Sequence, residues 1–155
     1  MTPCVKMLKK AKVTYTIHQY QHDITCESYG EEAAQKLGVI QERVFKTLVV
    51  QSEDTLFVGV VPVSSKLSLK ELAKVLGVKK VVMADAKIVE KSTGYVLGGV
   101  SPFGQKKRLV TIVDKSALDY ETIFVSAGKR GLDVEISPQI FQELLSSKFK
   151  EISIH

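Results

Sequence analysis

The alternation of apolar and polar positions along the chain predicts a mixture of short helices and short strands. Apolar residues that recur every three or four positions are typical of amphipathic helices, whereas alternating or continuous runs rich in β-branched residues are typical of strands. By these criteria we expect helices over residues 2–11, 28–37, 68–77, 85–91 and 137–145. The expected strands cover residues 14–19, 43–51, 56–63, 80–83, 109–113, 122–126, 132–136 and 148–154, the last as an edge strand.

Local capping signals support the helix assignments. Ser28 and Ser68 are each followed three residues later by a glutamate, which is the capping-box pattern. Pro138 stands at the first position of the last predicted helix, after a cap at Ser137. Helices and strands mix without strict βαβ alternation. We therefore predict an α/β mixed (α+β-like) fold: a single domain over residues 1–155 with a mixed, largely antiparallel sheet flanked by short helices.

Lys46 is the strand position that departs most from ordinary core composition. It shares one face of its strand with Leu48 and Val50. Phe45 and Val49 fill the opposite face, so apolar residues on both sides predict an interior strand. An ammonium group there is costly unless it is paired or lines a polar cleft. Three interpretations stay open, namely a structural ion pair, an edge lysine whose ammonium group reaches out to solvent, and a lysine that binds an anion or a carbonyl group.

Residues 92–108 form the segment that least resembles ordinary scaffold. Four of the ten glycines lie between residues 94 and 104, and Lys106, Lys107 and Arg108 follow directly. Glycine is used where the backbone needs a positive φ or where another group approaches closely. The spacing fits neither a phosphate loop nor a dinucleotide fingerprint. Because apolar residues interleave with the glycines, we expect a loop packed against the body, either a shaped binding loop or a purely structural hairpin.

Few side chains suggest protein-based catalysis. His22 is either a general base paired with Asp23 or, more simply, a loop histidine bonded to backbone. No serine or cysteine lies in an elbow motif, and no carboxylate pair suggests a metal, so we expect no metal and no cofactor. A second glycine turn lies between Ser126 and Asp133 and is able to present backbone donors, with Asp133 placed to hold an amine. The alternative there is a basic hairpin turn with a surface aspartate.

Composition and charge narrow the functional class only moderately. The net charge of +5 favours a polyanionic partner through phosphate contacts, or else marks a solvated basic surface. No apolar run reaches the roughly 18 residues of a membrane span, and the first residues lack the apolar core of a secretory signal. Cys4 and Cys26 lack the spacing of a zinc or disulfide framework, and we expect Cys4 to be a small core residue. A soluble, reduced, cytoplasmic protein is expected.

Five of these segments taken together resemble one family. They are FKTL at 45–48, STGY at 92–95, GGVSP at 98–102, QKKR at 105–108 and GKRG at 128–131. In this order and spacing they resemble the YbaK proteins, Cys-tRNA(Pro) deacylases related to the editing insertion of bacterial prolyl-tRNA synthetases. Residues 1–3 and 18–23 also match, so the resemblance covers nearly the whole chain. It implies the YbaK fold, in which the sheet is curved.

The resemblance also implies roles for individual residues. Lys46 would hold the 3′-terminal phosphate or sugar and position the ester, while Gly98 and Gly99 would bring backbone donors to the carbonyl oxygen. The other implied substrate-binding residues are Tyr20, His22 and Tyr29 around the aminoacyl group and terminal adenosine, and Thr47, Ser126 and Asp133 on polar parts of the substrate, with Asp133 on the α-ammonium. The candidates for tRNA phosphates are Lys106, Lys107, Arg108, Lys129 and Arg130.

The implied activity is that of a trans-editing aminoacyl-tRNA deacylase that removes cysteine from tRNA(Pro), with Cys-tRNA(Cys) as a second candidate substrate. The thiol of the substrate itself would attack the ester and leave a thiolactone, which agrees with the lack of a protein nucleophile. The implied partners are Cys-tRNA(Pro) and, transiently, prolyl-tRNA synthetase, with neither DNA nor membrane. Two alternatives stay open: a deacylase for another small amino acid such as alanine, and a non-catalytic synthetase-associated module that binds tRNA.

Three positions depart from the pattern of the family. Tyr29 stands where phenylalanine is common, which adds a hydroxyl to the expected pocket. Ala127 replaces a glycine, so that position is not expected to need a positive φ. Phe103 replaces leucine and is expected to be a packing exchange. None of the three coincides with Lys46 or Gly98.

Overall fold

Five helices and ten strands form from these segments in a computed structural model that describes residues 1–155. The helices are α1 (Pro3–Ala11), α2 (Tyr29–Leu37), α3 (Leu69–Leu76), α4 (Ala86–Thr93) and α5 (Gln139–Leu145). The strands are β1 (Tyr15–Gln19), β2 (Phe45–Ser52), β3 (Thr55–Pro62), β4 (Lys66–Leu67), β5 (Val82–Met83), β6 (Val110–Asp114), β7 (Ile123–Lys129), β8 (Leu132–Ile136), β9 (Lys148–Lys150) and β10 (Ser153–Ile154). None of the helices is long and apolar enough to cross a bilayer.

The strands pair into three sheets. The largest has the order β5-β2-β3-β6-β9, with antiparallel pairing around β2 and parallel pairing from β3 through β6 to β9. A second sheet, β1-β8-β7, is antiparallel throughout, and β10 pairs with β4 in a third. A bridge between Val44 and Phe124 connects the two larger sheets. The predicted α/β mixed fold class is confirmed, and β2 is an interior strand as its two apolar faces indicate.

The prediction of one edge strand over residues 148–154 is wrong. Instead β9 adds in parallel to β6, while β10 pairs with β4 in a different sheet. Between them Ile152 is fully buried, its N–H donates to Oδ1 of Asp114 at 3.0 Å, and its carbonyl accepts from the Ser68 N–H at 2.7 Å. These contacts redirect the backbone from one sheet to the other. An apolar pattern alone does not reveal such a change of partner.

The helix caps form largely as predicted. The hydroxyls of Ser28 and Ser68 accept from the glutamate N–H three residues on, at 3.5 and 3.1 Å. The last helix differs by one position, because Pro138 is its N-cap and the helix begins at Gln139. Its first turn closes with bonds of the tighter i→i+3 type, from Ile140 to the carbonyl of Ser137 at 3.1 Å. Tight first turns of this kind commonly displace a helix boundary by one residue.

The core holds the segments that carry the candidate site. Phe103 is fully buried, and its ring lies 4.8 Å from that of Phe141, so the expected packing exchange at this position agrees with the structure. Cys4 is equally buried within the same cluster, and burial raises the pKa of its thiol to about 11. Ala127 is buried and does not adopt a positive φ. The glycine-rich segment therefore packs against the hydrophobic core through Phe103.

Candidate active site

A cavity of about 260 Å³ opens where β2, α2, the glycine loop and the turn between β7 and β8 meet. Nine of the fourteen predicted site residues line it, and the other five do not. The nine are Tyr20, Tyr29, Lys46, Thr47, Gly98, Ser126, Lys129, Arg130 and Asp133. Residues from five separate segments of sequence converge here, which identifies the cavity as the candidate site.

Lys46 enters the cavity from the interior strand β2. It is partly buried, and it forms neither an ion pair nor a hydrogen bond with another side chain. Burial lowers the pKa of this ammonium group; Glu31 acts in the opposite sense and Lys66 in the same sense. The structural ion pair considered above is therefore absent. A partly desolvated cation without a counter-ion remains, and such a group favours an anionic or carbonyl ligand.

Gly98 places its backbone on the cavity wall in a way no other residue type permits. Its φ is +87°, and a Cβ built at this position would lie 2.6 Å from Cε2 of Tyr29 and 2.7 Å from Nε of Arg130. The N–H groups of Gly98 and Val100 have no hydrogen-bond partner within the protein. Both residues line the cavity, so two backbone donors are available to a ligand there.

Gly99, by contrast, is not on the cavity wall. Its N–H donates to the carbonyl of Val96 at 3.0 Å and closes a turn. On its other side it packs against the backbone of Lys129, where a Cβ would come within 3.0 Å. The prediction that Gly99 contacts substrate does not agree with this placement, because its only donor is used inside the loop.

The glycine loop is anchored at both ends. The hydroxyl of Tyr95 donates to the carbonyl of Phe103 at 2.6 Å, and both residues are buried. Gly104 packs directly on the first turn of α1, since a Cβ there would lie 2.5 Å from the carbonyl oxygen of Pro3. The expectation of a loop packed against the body is confirmed for Tyr95, Val100 and Phe103, whereas Val96 and Leu97 are exposed. These contacts hold the loop in place and thereby fix the direction of the free N–H groups of Gly98 and Val100.

Three polar side chains complete the floor of the cavity. The hydroxyl of Thr47 is buried and has no hydrogen-bond partner. Ser126 accepts from the Gly128 N–H at 3.2 Å and so remains free to donate. Asp133 is only 6% exposed, its side chain makes no hydrogen bond or ion pair, and burial raises its pKa to about 7. It is not the surface aspartate of the alternative interpretation. A buried polar group without a partner is rare in native proteins, so the Thr47 hydroxyl beside the unpaired carboxyl of Asp133 indicates a polar ligand.

The buried carboxyl of Asp133 makes stability depend on pH. Its pKa of about 7 in the fold exceeds the ordinary value of 3.8, so between these values the native state binds more protons than the unfolded chain. The free energy of unfolding therefore falls as pH rises from about 4 to 7. We expect Asp133→Asn to be more stable than the wild type by about 4 kcal/mol at pH 8 and nearly equal to it at pH 4. Urea denaturation at both pH values measures the difference.

A matched control for that measurement is Asp54→Asn, which alters an exposed carboxylate in the turn between β2 and β3. Its stability relative to the wild type is expected to stay constant between pH 4 and 8. If Asp133→Asn shows the same flat difference as this control, the assignment of a raised pKa to Asp133 is incorrect.

His22 lies outside the cavity, behind Tyr29. Its Nδ1 is 2.7 Å from Oε1 of Glu32, and the ring centroids of His22 and Tyr29 are 5.6 Å apart. Both earlier interpretations of His22 are therefore wrong, because its partner is neither Asp23 nor a backbone group. Its contribution to the site is indirect, through the ring of Tyr29.

Glu32 is the residue that sequence reasoning missed in this region. It is almost fully buried, which raises the pKa of a carboxyl, but bonds from His22, the Asp23 N–H and Lys36 outweigh burial and hold its pKa at about 2. The only signal in the sequence is a second glutamate in the first turn of α2, beside the exposed Glu31. Glu32 ties the 20–28 loop to α2 and so fixes the ring that faces the cavity.

The basic residues that follow the glycine loop lie apart from the cavity. Lys106, Lys107 and Arg108 are exposed, and Arg108 donates to the hydroxyl of Ser146 at 3.3 Å. None of the three lines the cavity, whereas Lys129 and Arg130 do. The five candidates for phosphate contacts thus divide into two groups, one at the cavity mouth and one near α1 and α5.

Comparison with known proteins assigns the family. A family model described as the aminoacyl-tRNA editing domain matches residues 25–144. The chain belongs to this family. The matched region contains every residue that lines the cavity except Tyr20. The resemblance to the YbaK proteins inferred from the sequence motifs is confirmed by this match.

Individual relatives agree with the assignment. EbsC of Enterococcus faecalis, named as a candidate Cys-tRNA(Pro)/Cys-tRNA(Cys) deacylase, is 39% identical over 153 residues, 98% of this chain and 93% of that protein. The proline–tRNA ligase of a Thermoanaerobacter species is 31% identical over 101 residues, 64% of this chain and 18% of the ligase. A solved structure titled as a candidate trans-editing enzyme for prolyl-tRNA synthetase covers 100% of this chain and 99% of its own, with a TM-score of 0.85 and 19% identity, and supports the fold alone.

Proposed function

We propose that this editing-domain protein is a trans-acting deacylase that removes cysteine from mischarged tRNA(Pro), with Cys-tRNA(Cys) as a second substrate. The observation that carries the proposal is the joint presence, in one cavity, of the unpaired Lys46 ammonium and the free N–H of Gly98. An aminoacyl ester on a 3′-terminal adenosine offers both a carbonyl oxygen and nearby phosphate oxygens. These are the groups that a cation and a backbone donor bind.

The nucleophile in this proposal comes from the substrate. No cysteine and no histidine lines the cavity, and none of the hydroxyls that line it forms a hydrogen bond with an imidazole. The cysteine thiol of the substrate attacks its own ester carbonyl, the bond between carbonyl carbon and ribose oxygen breaks, and the thiol proton passes to the departing ribose oxygen. The products are a cysteine thiolactone and free tRNA. This step consumes no water, so the enzyme acts as a lyase in it, and hydrolysis of the thiolactone follows separately.

The chain orients the reacting groups by charge and hydrogen bonding. The N–H of Gly98 donates to the oxygen that becomes negative as the thiol attacks, and Lys46 holds the phosphate or ribose end of the terminal adenosine. The carboxylate of Asp133 accepts hydrogen bonds from the α-ammonium of the substrate. The positive charge of this ammonium group favours the ionised carboxylate and offsets the cost of burying it. Thr47 and Ser126 offer hydroxyls to the remaining polar atoms of the aminoacyl group.

Replacing the thiol of the substrate tests the nucleophile. We expect serine on tRNA(Pro) to be released at least about a hundredfold more slowly than cysteine, because a hydroxyl ionises far less readily than a thiol with a pKa near 8.5. Single-turnover deacylation of the two charged tRNAs measures the ratio. Equal rates would exclude attack by the thiol.

The same assay separates the remaining candidate functions. Alanine on tRNA(Pro) is expected to be a poor substrate, and a clear preference for alanine would assign the enzyme to another small amino acid instead. Absence of any rate above the uncatalysed background would indicate a non-catalytic tRNA-binding module. We further propose that the protein acts in the cytoplasm beside prolyl-tRNA synthetase in a transient ternary complex, and we expect added synthetase to raise the rate on tRNA(Pro) more than on other tRNAs.

A further inference from the structure

Arg130 makes contacts at the cavity mouth that phosphate binding does not require. Its Nη2 donates to the carbonyl oxygen of Leu97 at 3.0 Å. Its guanidinium carbon lies 4.2 Å from the centroid of the Tyr29 ring, a cation–π contact. The Tyr29 ring also contacts His22, which Glu32 holds in place. Although its outer face is exposed, the guanidinium group is therefore fixed by two partners before any substrate binds.

The carbonyl that Arg130 binds belongs to the same peptide group as the free donor of Gly98. A peptide unit is planar, and in its trans form the C=O and N–H bonds point in opposite directions. The structure contains no cis peptide. A hydrogen bond that fixes the Leu97 oxygen therefore also fixes the direction of the Gly98 N–H on the cavity wall. The bond withdraws electron density from the peptide group and so makes this N–H a stronger donor.

Close packing around Gly98 leaves no space for a side chain at this position. The position of a Cβ on this residue is only 2.7 Å from Nε of Arg130 and 2.6 Å from the ring of Tyr29. The loop backbone, the guanidinium group and the ring thus form one contact, with no room for a side chain between them. Movement of the guanidinium group frees the peptide of residues 97–98 to rotate.

We propose that Arg130 is a positioning residue for the deacylation reaction: stacked on the ring of Tyr29, its guanidinium group holds the Leu97 carbonyl and so orients and polarises the Gly98 N–H as the donor to the ester oxyanion. This inference rests on the proposed function and replaces the role in phosphate binding that the sequence suggested for Arg130.

Kinetics at saturating tRNA distinguish orientation of the donor from phosphate binding. We expect Arg130→Ala to lower the single-turnover rate constant at saturation about thirtyfold, while KM changes less than about threefold. This is less than the roughly 10²- to 10³-fold loss on removal of an oxyanion donor, because the Gly98 N–H is misaligned and not removed. Arg130→Lys, which keeps one donor for the Leu97 carbonyl, is expected to recover part of that rate. The slope of log KM against log salt concentration stays the same in both variants. Lys115→Ala, which removes an exposed charge outside the cavity, serves as the matched control with wild-type kinetics.

The opposite pattern would overturn the inference. If Arg130→Ala raises KM, keeps the saturating rate and reduces the salt slope by about one, then Arg130 binds a phosphate and does not position the loop. Thermal unfolding of each variant verifies that it is folded. If Arg130→Ala does not fold, the kinetics of Arg130→Lys are compared with those of the wild type instead.

A measurement without substrate separates this inference from the proposed function. The ¹H–¹⁵N resonance of Gly98 in the free protein is expected to shift in Arg130→Ala, because the hydrogen bond to the preceding carbonyl is lost, and to remain in place in Lys115→Ala. An unchanged resonance in Arg130→Ala contradicts the inference whether or not the protein deacylates cysteine. Absence of deacylation by the wild-type protein contradicts only the proposed function.

Discussion

Replacing Lys46 with alanine is expected to reduce the rate of Cys-tRNA(Pro) deacylation by at least about a hundredfold. The ammonium group lies on an interior strand, partly buried, with its pKa lowered by burial and without a counter-ion. The protein thus bears the cost of removing a charge from water without an internal partner to offset it. Oxygens of the terminal adenosine provide that partner, and this contact also positions the ester beside the Gly98 N–H. Because loss of a group that aligns the transition state with its oxyanion donor costs a factor of roughly 10² to 10³, the effect is on the rate at saturation. Single-turnover deacylation at saturating tRNA gives the ratio.

A neighbouring lysine supplies the control for this prediction. Lys66 is exposed on β4, and its charge reaches Lys46 closely enough to lower the pKa of that ammonium group. Lys66→Ala removes the same charge from the same region without emptying the cavity, and we expect its rate to remain within about twofold of the wild type. Equal losses in the two variants would mean that the general positive field matters and that contact between Lys46 and the substrate does not.

The stability of the Lys46→Ala variant distinguishes a functional from a structural lysine. A lysine that stabilised the fold through an ion pair would lower the melting temperature when removed. Because no such pair exists, we expect the melting temperature of Lys46→Ala to equal or exceed that of the wild type. A variant that is more stable but less active than the wild type would show that Lys46 serves ligand binding at a cost in stability.

The sequence was most informative where local chemistry alone determines the structure. Capping serines, glycine stops and alternating strands produced nearly every element, and apolar residues on both faces of β2 identified its interior position before any coordinates. Lys46 was exceptional in that pattern, which is why the sequence alone selected it. The glycine loop was recognisable from the apolar residues between its glycines, of which Tyr95, Val100 and Phe103 are buried while Val96 and Leu97 are exposed.

Other features depend on contacts between residues distant in sequence, which periodicity does not reveal. The split of the last predicted strand follows from a bond between Ile152 and Asp114, 38 positions earlier. The placement of His22 depends on Glu32, and the availability of Gly98 rather than Gly99 depends on which N–H closes the turn with Val96. The link from Arg130 to Leu97 spans 33 residues. The motifs named His22, Gly98, Gly99 and Arg130, but not the hydrogen bonds that hold these residues in place.

The second large effect is expected at Gly98. Gly98→Ala is expected to reduce deacylation at saturating tRNA by about a hundredfold or more while leaving the fold intact. The residue has a φ of +87°, which costs roughly 1–2 kcal/mol for an L-residue, and the added Cβ would meet Tyr29 and Arg130 at 2.6–2.7 Å. Relief of these contacts displaces the guanidinium group that holds the Leu97 carbonyl, or the loop itself, and either movement turns the free N–H of residue 98 away from the ester oxygen. Displacement of one such donor accounts for an effect of this size.

The matched control separates backbone strain from loss of the donor. Gly77 ends α3 with a φ of +72°, and a Cβ there would meet no atom within 4 Å. Gly77→Ala therefore imposes a similar backbone penalty far from the chemistry, and we expect it to lower the melting temperature by a few degrees while the saturating rate stays within about twofold. If both alanine variants lose activity equally, strain transmitted through the fold explains the loss. If only Gly98→Ala does, the rate depends on where the Gly98 N–H points, which is the property that Arg130 and Tyr29 are placed to hold.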